Sequence, residues 1–300
     1  MRERTLVFGD AKSLVGVITE PAPKDAVRGQ PAVILLNARI LHRVGPHRVD
    51  VRLARRLAEA GFLVMRFDYS GIGDSRPRVD NALFARSALA ETRQCMDFLA
   101  ASRGVGGFLL AGICSGADNA LSAAAQDERV AGVALIEPYA IPAPAFPLYQ
   151  YRRKRLDPRS WWCLLRGRSE VLGRLRAHRA EPAAPVAAPA ALEPAPDLDS
   201  IVPSRAEFVR RVQGLADRGA GICFVYSSES PAYFNYLTLL RRDLRRPLAK
   251  GRVQLQVLRQ SDHVFTPLAV QDVLVQTIRD WPLTFGAGTT PSGGSRSTGP

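Results

Sequence analysis

One thiol in this chain stands where covalent chemistry is easiest to build. Cys114 lies in Gly112-Ile113-Cys114-Ser115-Gly116, after an apolar run from Gly107 to Ile113 and before the small-residue stretch Ala117 to Ala125. The first run reads as a buried strand and the second as a helix, with almost no loop between them. Such a corner is a nucleophile elbow, with cysteine at its centre in place of the commoner serine. A turn this sharp strains the central residue, and side chains two positions away on either side would collide with the neighbouring backbone, so both are glycine. The bend lifts the sulfur above the strand end, where the Ser115 amide faces the same space as an oxyanion donor. Ser115 itself is a weaker nucleophile candidate, because its own flanking positions are Ile113 and Ala117. A free cysteine is more often a small buried hydrophobe than a nucleophile. The strand before it and the helix after it favour chemistry.

A thiolate gains from a nearby imidazole, which stabilises it and later activates an acceptor. His263 is the candidate: it follows the apolar run Val253 to Leu258 in the short loop Gln260 to Pro267. A carboxylate that orients the imidazole is expected at Glu229, just beyond the run Ile222 to Tyr226, with Asp68, Asp74 and Glu137 as alternatives from other strand ends. Asp262 is adjacent to His263 and is expected to point elsewhere.

These groups come together only if the strands between them lie side by side. Thr5 to Phe8 and Ser13 to Thr19 read as an edge hairpin turning at Gly9-Asp10, and Ala32 to Leu36 as a strand covered on both faces. A helical stripe from Val51 to Ala60, the strand Phe62 to Phe67 and a long amphipathic helix from about Ala82 to Ala101 follow. Beyond the elbow come the strand Val130 to Ile136, a helix near Arg205 to Arg218, a basic helix over Tyr236 to Leu248 and a last helix over Leu268 to Asp280. Regular alternation of strand and helix implies a parallel sheet with helices on both faces. Ligands then gather at the carboxyl ends of the strands. The loop after Leu36 lies at that edge, so His42, Arg43 and Arg48 are candidates for gripping an anionic substrate. The Gly71-Ile72-Gly73 stretch lacks the rest of a dinucleotide or P-loop signature and reads as a tight loop.

The chain has 300 residues, 46% of them hydrophobic, and a net charge of +13. That is enough for one large core, expected as residues 1–140 and 201–285, interrupted by a cap insertion over 141–200 and followed by a disordered tail over 286–300. Between Arg152 and Arg179 there are ten basic residues against two acidic ones; most such charges form a solvated face, and the alternative is a cap that meets an acidic carrier protein or an anionic surface. The Pro/Ala-rich stretch after Glu181 reads as a flexible linker, and Trp161, Trp162 and Leu165 as contacts of the cap. No nucleic-acid-binding motif is present, so that partner is not expected. The four cysteines, at irregular spacings without a Cys-x-x-Cys pair, suggest neither a disulfide framework nor a metal site. With no apolar leader and no apolar run long enough to span a membrane, a cytoplasmic chain is expected. No cofactor is expected.

The strand and loop motifs together resemble the α/β-hydrolase superfamily. Within it the cysteine elbow is similar to that of dienelactone hydrolases. Asn37-Ala38, His42-Arg43-Val44-Gly45-Pro46, Leu53-Ala54-Arg55, Gly61-Phe62, Arg66 through Ser75, Gly112 through Ala117 and Leu156 through Trp161 also resemble bacterial serine-aminopeptidase-like hydrolases found beside exosortase and exopolysaccharide genes. The resemblance implies an α/β-hydrolase fold, with a mostly parallel central sheet and a helical cap. It also implies the order nucleophile, acid, histidine, and a second oxyanion amide at Asn37 or Ala38. Ala38 replaces a more usual glycine and Glu229 a more usual aspartate. The activity expected from Cys114 and His263 is that of an acyl hydrolase on a small-molecule or carrier-bound ester or thioester, working through an acyl-cysteine. An acyltransferase using the same intermediate is the second reading, and a non-catalytic binding protein with a basic cap is the third.

Overall fold

Every residue of Ala32–Leu36 (β3), Phe108–Ile113 (β5) and Gly221–Ser227 (β7) is buried. Apolar runs without alternation need cover on both faces, and the fold supplies it. A computed structural model describes residues 1–25, 29–38, 41–80, 82–141, 143, 145–146, 149 and 203–282. With β1 (Arg2–Phe8), β2 (Leu14–Glu20), β4 (Val64–Phe67), β6 (Val130–Ile136) and β8 (Val253–Leu258), these strands form one eight-stranded sheet in the order β1-β2-β4-β3-β5-β6-β7-β8. β1 and β2 form the antiparallel edge hairpin, and β2 pairs antiparallel with β4. The remaining pairs are parallel.

The pleat divides each central strand between two cores. Phe108 and Leu110 of β5, Ile34 of β3 and Phe224 of β7 face α2 (Phe84–Arg103), α3 (Ser115–Ala124) and α4 (Arg205–Asp217), through Met96, Leu121 and Phe208. Leu109 and Ala111 of β5, Leu35 of β3 and Val225 of β7 lie on the other side with Leu53 and Leu57 of α1 (Val49–Glu59). Leu274 and Ile278 belong to that second core and sit on the closing helix, Leu268–Asp280.

The basic helix expected over Tyr236 to Leu248 is broken into pieces. Ser230 caps α5 (Pro231–Asn235) by accepting from the Tyr233 amide. A π turn follows over Tyr236–Leu240, closed by Arg241 N donating to the Tyr236 carbonyl at 2.7 Å. The helix resumes as α6 (Arg245–Leu248), and Leu268–Asp280 is α7. The extra residue in the π turn shifts the helical face, so Leu240, Leu244 and Pro247 all point inward while Arg241, Arg242, Arg245 and Arg246 stay outside.

The chain divides into two compact units, one formed by Met1–Ile141 with Asp199–Pro300 and the other by Pro142–Leu198. In the second unit Phe146 and Tyr149 stack with ring centroids 6.3 Å apart, and Tyr149 N donates to Ala145 O. The arginine cluster, the Pro/Ala-rich linker, Trp161, Trp162, Leu165, Cys163, His178 and the tail lie outside the described residues. Among the described residues no helix is long and apolar enough to cross a membrane.

Candidate active site

The elbow forms where β5 ends. Cys114 has φ 54° and ψ −123°, a conformation rare for a side-chain-bearing residue and costing about 1–3 kcal/mol. It is held there by its amide, which donates to the Ile136 carbonyl at 2.8 Å, and by its carbonyl, which accepts from Ala117 N at 2.9 Å. The two glycines are there for close approach. A Cβ on Gly112 would lie 2.4 Å from the carbonyl carbon of Gly116, and one on Gly116 would lie 2.4 Å from the Leu36 carbonyl oxygen. Helix α3 can therefore start directly on the sheet. Cys114 is half-buried, while Cys95 and Cys223 are fully buried. Burial pushes the Cys95 thiol well up and the Cys223 thiol up to about 12, which leaves both inert at neutral pH.

His263 reaches Cys114 from the loop after β8. Its Nδ1 is 2.9 Å from Oε2 of Glu137, so Nε2 is the nitrogen left for the hydrogen bond with Cys114. The hydrogen bond with Cys114, then that with Glu137, raises the imidazole from 6.5 to about 10 against the opposing effect of burial. Both partners favour the protonated imidazole. Its loop is fastened at several points. Ser227 Oγ donates to the Ser261 carbonyl, Asp262 Oδ1 accepts from Thr266 N at 2.9 Å, and Phe265 is buried with φ 56°. Asp262 thus points away from the imidazole, as expected.

The carboxylate at His263 is Glu137 and not Glu229. Ile113 of β5 pairs with Ile136 of β6, so the first residue beyond each strand, Cys114 and Glu137, are neighbours across the sheet edge. Glu137 is fully buried at φ 55°, and its Oε1 accepts from the Ser227 amide. Glu229 lies two residues past β7 and is exposed. The register of β5 with β6 is what brings this carboxylate to the imidazole, and the sequence carried one signal for it: Glu137 follows its strand without an intervening residue.

Asn37 directly follows β3, and a Cβ on Gly116 would lie 3.1 Å from its carbonyl oxygen, so the Asn37 backbone runs beside the elbow and the start of α3. Its side-chain amide donates to the Leu41 carbonyl. Arg43, expected to grip a substrate anion, is committed elsewhere. Its amide donates to Asp68 Oδ1 at 2.6 Å, and its guanidinium pairs with Asp68 and, at 2.5 Å, with Asp74. Asp68 is fully buried and also accepts from Asp74 N at 3.2 Å, while Arg66 Nη1 donates to the Arg43 carbonyl at 3.2 Å. Arg43 therefore ties the loop after β3 to the loop after β4. His42 and Arg48 are exposed, and His47 approaches Thr266 Oγ1 at 3.3 Å through Nε2. Among the described residues no cluster of three or more His, Cys, Asp or Glu side chains could hold a metal ion.

An eight-stranded, mostly parallel sheet with an elbow at β5 and an imidazole after the last strand defines the α/β-hydrolase fold, and this chain has that fold. Solved structures agree. An esterase of Pyrococcus furiosus superposes with a TM-score of 0.61 at 11% identity, covering 96% of this chain and 92% of its own. A lidless α/β serine hydrolase of Xanthomonas campestris gives 0.54 at 16% identity, covering 96% and 97%. A dienelactone hydrolase of Anabaena variabilis gives 0.51 at 12% identity, covering 94% and 97%. No protein-family model matches the chain, and no curated protein matches it in sequence.

Proposed function

We propose that the chain is an acyl hydrolase acting on an ester or thioester through Cys114, His263 and Glu137. The observation that carries this reading is the left-handed Cys114 at an elbow, hydrogen-bonded to an imidazole whose other nitrogen is held by a buried carboxylate. The sulfur, as thiolate, attacks the acyl carbon, and the carbonyl electron pair moves to oxygen, where the amides of Ser115 and Ala38 are the candidate donors. Collapse expels the alkoxide or thiolate, which takes the proton from His263 Nε2. His263 then removes a proton from water, the hydroxide attacks the acyl-cysteine, and the carboxylic acid leaves as the sulfur recovers its electron pair. Glu137 holds the imidazole in orientation. A thiolate exchanges well with thioesters, so an acyl thioester is the favoured substrate class.

Intact-protein mass after brief exposure to a panel of activated esters and acyl thioesters tests this. The expected result is an acyl adduct that maps to Cys114, is absent in Cys114→Ala and persists in His263→Ala. Its lifetime with added alcohols or amines distinguishes hydrolysis from transfer. If no adduct forms and iodoacetamide labels Cys114 no faster than an ordinary thiol, the reading fails and a binding role takes its place.

A further inference from the structure

The corner that carries Glu137 is itself under constraint. Glu137 and Tyr139, on either side of Pro138, both have positive φ, at 55° and 57°. Neither is a glycine, so nothing in the residue types favours that backbone path. Two buried side chains oppose its relaxation. Asp118, on α3 four residues beyond Cys114, is 1% exposed and accepts from Tyr139 N through Oδ1 at 3.1 Å. Asn235, the last residue of α5 and fully buried, donates from Nδ2 to the carbonyls of Tyr139 and Ile141, each at 2.9 Å. Tyr139 is thus gripped by its amide from one helix and by its carbonyl from another.

The geometry points to Asp118, seconded by Asn235, as a positioning residue for the catalytic acid: the two side chains clamp the backbone two residues beyond Glu137 and so keep its carboxylate at His263 Nδ1. This rests on the role proposed for Glu137. What the clamp needs from Asp118 is an acceptor oxygen, not a charge. Burial raises this carboxyl from 3.8 to about 7, and the opposite charge acting on it is Arg211 of α4, which is itself engaged with Glu207 and Ser122. Asparagine supplies the same oxygen without the charge.

The test compares Asp118→Ala, Asp118→Asn and Asn235→Ala with wild type in two readouts. The first is the midpoint of His263 in an NMR titration of the imidazole, which does not depend on turnover. Asp118→Ala is expected to lower that midpoint by one pH unit or more, because the Glu137 hydrogen bond loosens, while Asp118→Asn stays within about 0.3 unit of wild type. The second is hydrolysis of whichever ester or thioester acylates Cys114. Here kcat is expected to fall at least tenfold in Asp118→Ala with KM nearly unchanged, and to be largely rescued in Asp118→Asn. Should Asp118→Ala not fold, Asn235→Ala reads the same corner and is expected to lower the His263 midpoint likewise. An Asp118→Ala, or in its place an Asn235→Ala, with the wild-type midpoint overturns the clamp. So does an Asp118→Asn as impaired as Asp118→Ala. Absence of turnover in wild type would overturn the hydrolase reading alone, since the titration still tests the clamp.

Discussion

At the scale of single residues, the contact that matters most is Nδ1 of His263 with Oε2 of Glu137 at 2.9 Å. Glu137→Gln keeps the shape of the side chain and loses the negative charge that favours the imidazolium, so kcat on an acylating substrate is expected to fall about 100-fold or more. Glu229→Gln, altering an exposed side chain two residues past β7, is expected to leave kcat within twofold. Steady-state kinetics of the two variants side by side decide the acid, and a reversed order would restore Glu229. Cys114 is the only one of the three described thiols that is not fully buried, so among these three labelling by iodoacetamide at neutral pH is expected to map to it.

At the scale of elements, the site depends on how closely α3 approaches β3. In Gly116→Ala the new methyl would meet the Leu36 carbonyl, which belongs to the backbone and cannot rotate aside. The strand or the helix must shift, at a cost of about 1–3 kcal/mol, and the Asn37-Ala38 backbone moves with β3. A lowered thermal midpoint together with loss of acylation is the expected outcome. A stable and fully active variant would show that the elbow tolerates a wider gap. Arg43 joins two loops through the buried Asp68, so Arg43→Ala leaves that carboxylate without its cation and is expected to cost roughly 3 kcal/mol. Denaturant unfolding reads this directly. Arg48→Ala, at an exposed side chain, is expected to leave stability unchanged and to raise KM only if the substrate is anionic.

At the scale of the whole molecule, three buried or part-buried groups give stability the same slope with pH. Asp50 and Asp118 are raised from 3.8 to about 7 by burial, and His263 from 6.5 to about 10 by Cys114 and Glu137. Each holds its proton more tightly in the folded chain than in the unfolded one. The folded state is therefore favoured most below the unfolded values, and that advantage is lost as pH rises through the folded ones. The thermal midpoint is expected to fall between about pH 4 and 7 and again between about pH 7 and 10, with Asp50→Asn flattening the first decline and Glu137→Gln the second. A midpoint constant from pH 5 to 10 would contradict all three assignments.

Local chemistry determined much of this protein in advance. The glycine spacing around Cys114, the apolar runs of β3, β5 and β7, and the strand-helix alternation depend on residues near one another in sequence, and they were legible as an elbow in a parallel sheet. The break in the helix after Asn235 was not, because a π turn leaves the apolar residues looking periodic. Nor was the choice between Glu137 and Glu229, since both follow strands at the same sheet edge. That choice is made by strand order and register. β6 lies between β5 and β7, its end pairs with the end of β5, and the first residue beyond it falls beside Cys114. The ion pairs of Arg43 were hidden for the same reason: its partners Asp68 and Asp74 are 25 and 31 residues away and meet it only where β3 and β4 run side by side. Sequence spacing specifies what each element can do. Which elements share an edge, and therefore which charges face one another, is set only when the sheet closes.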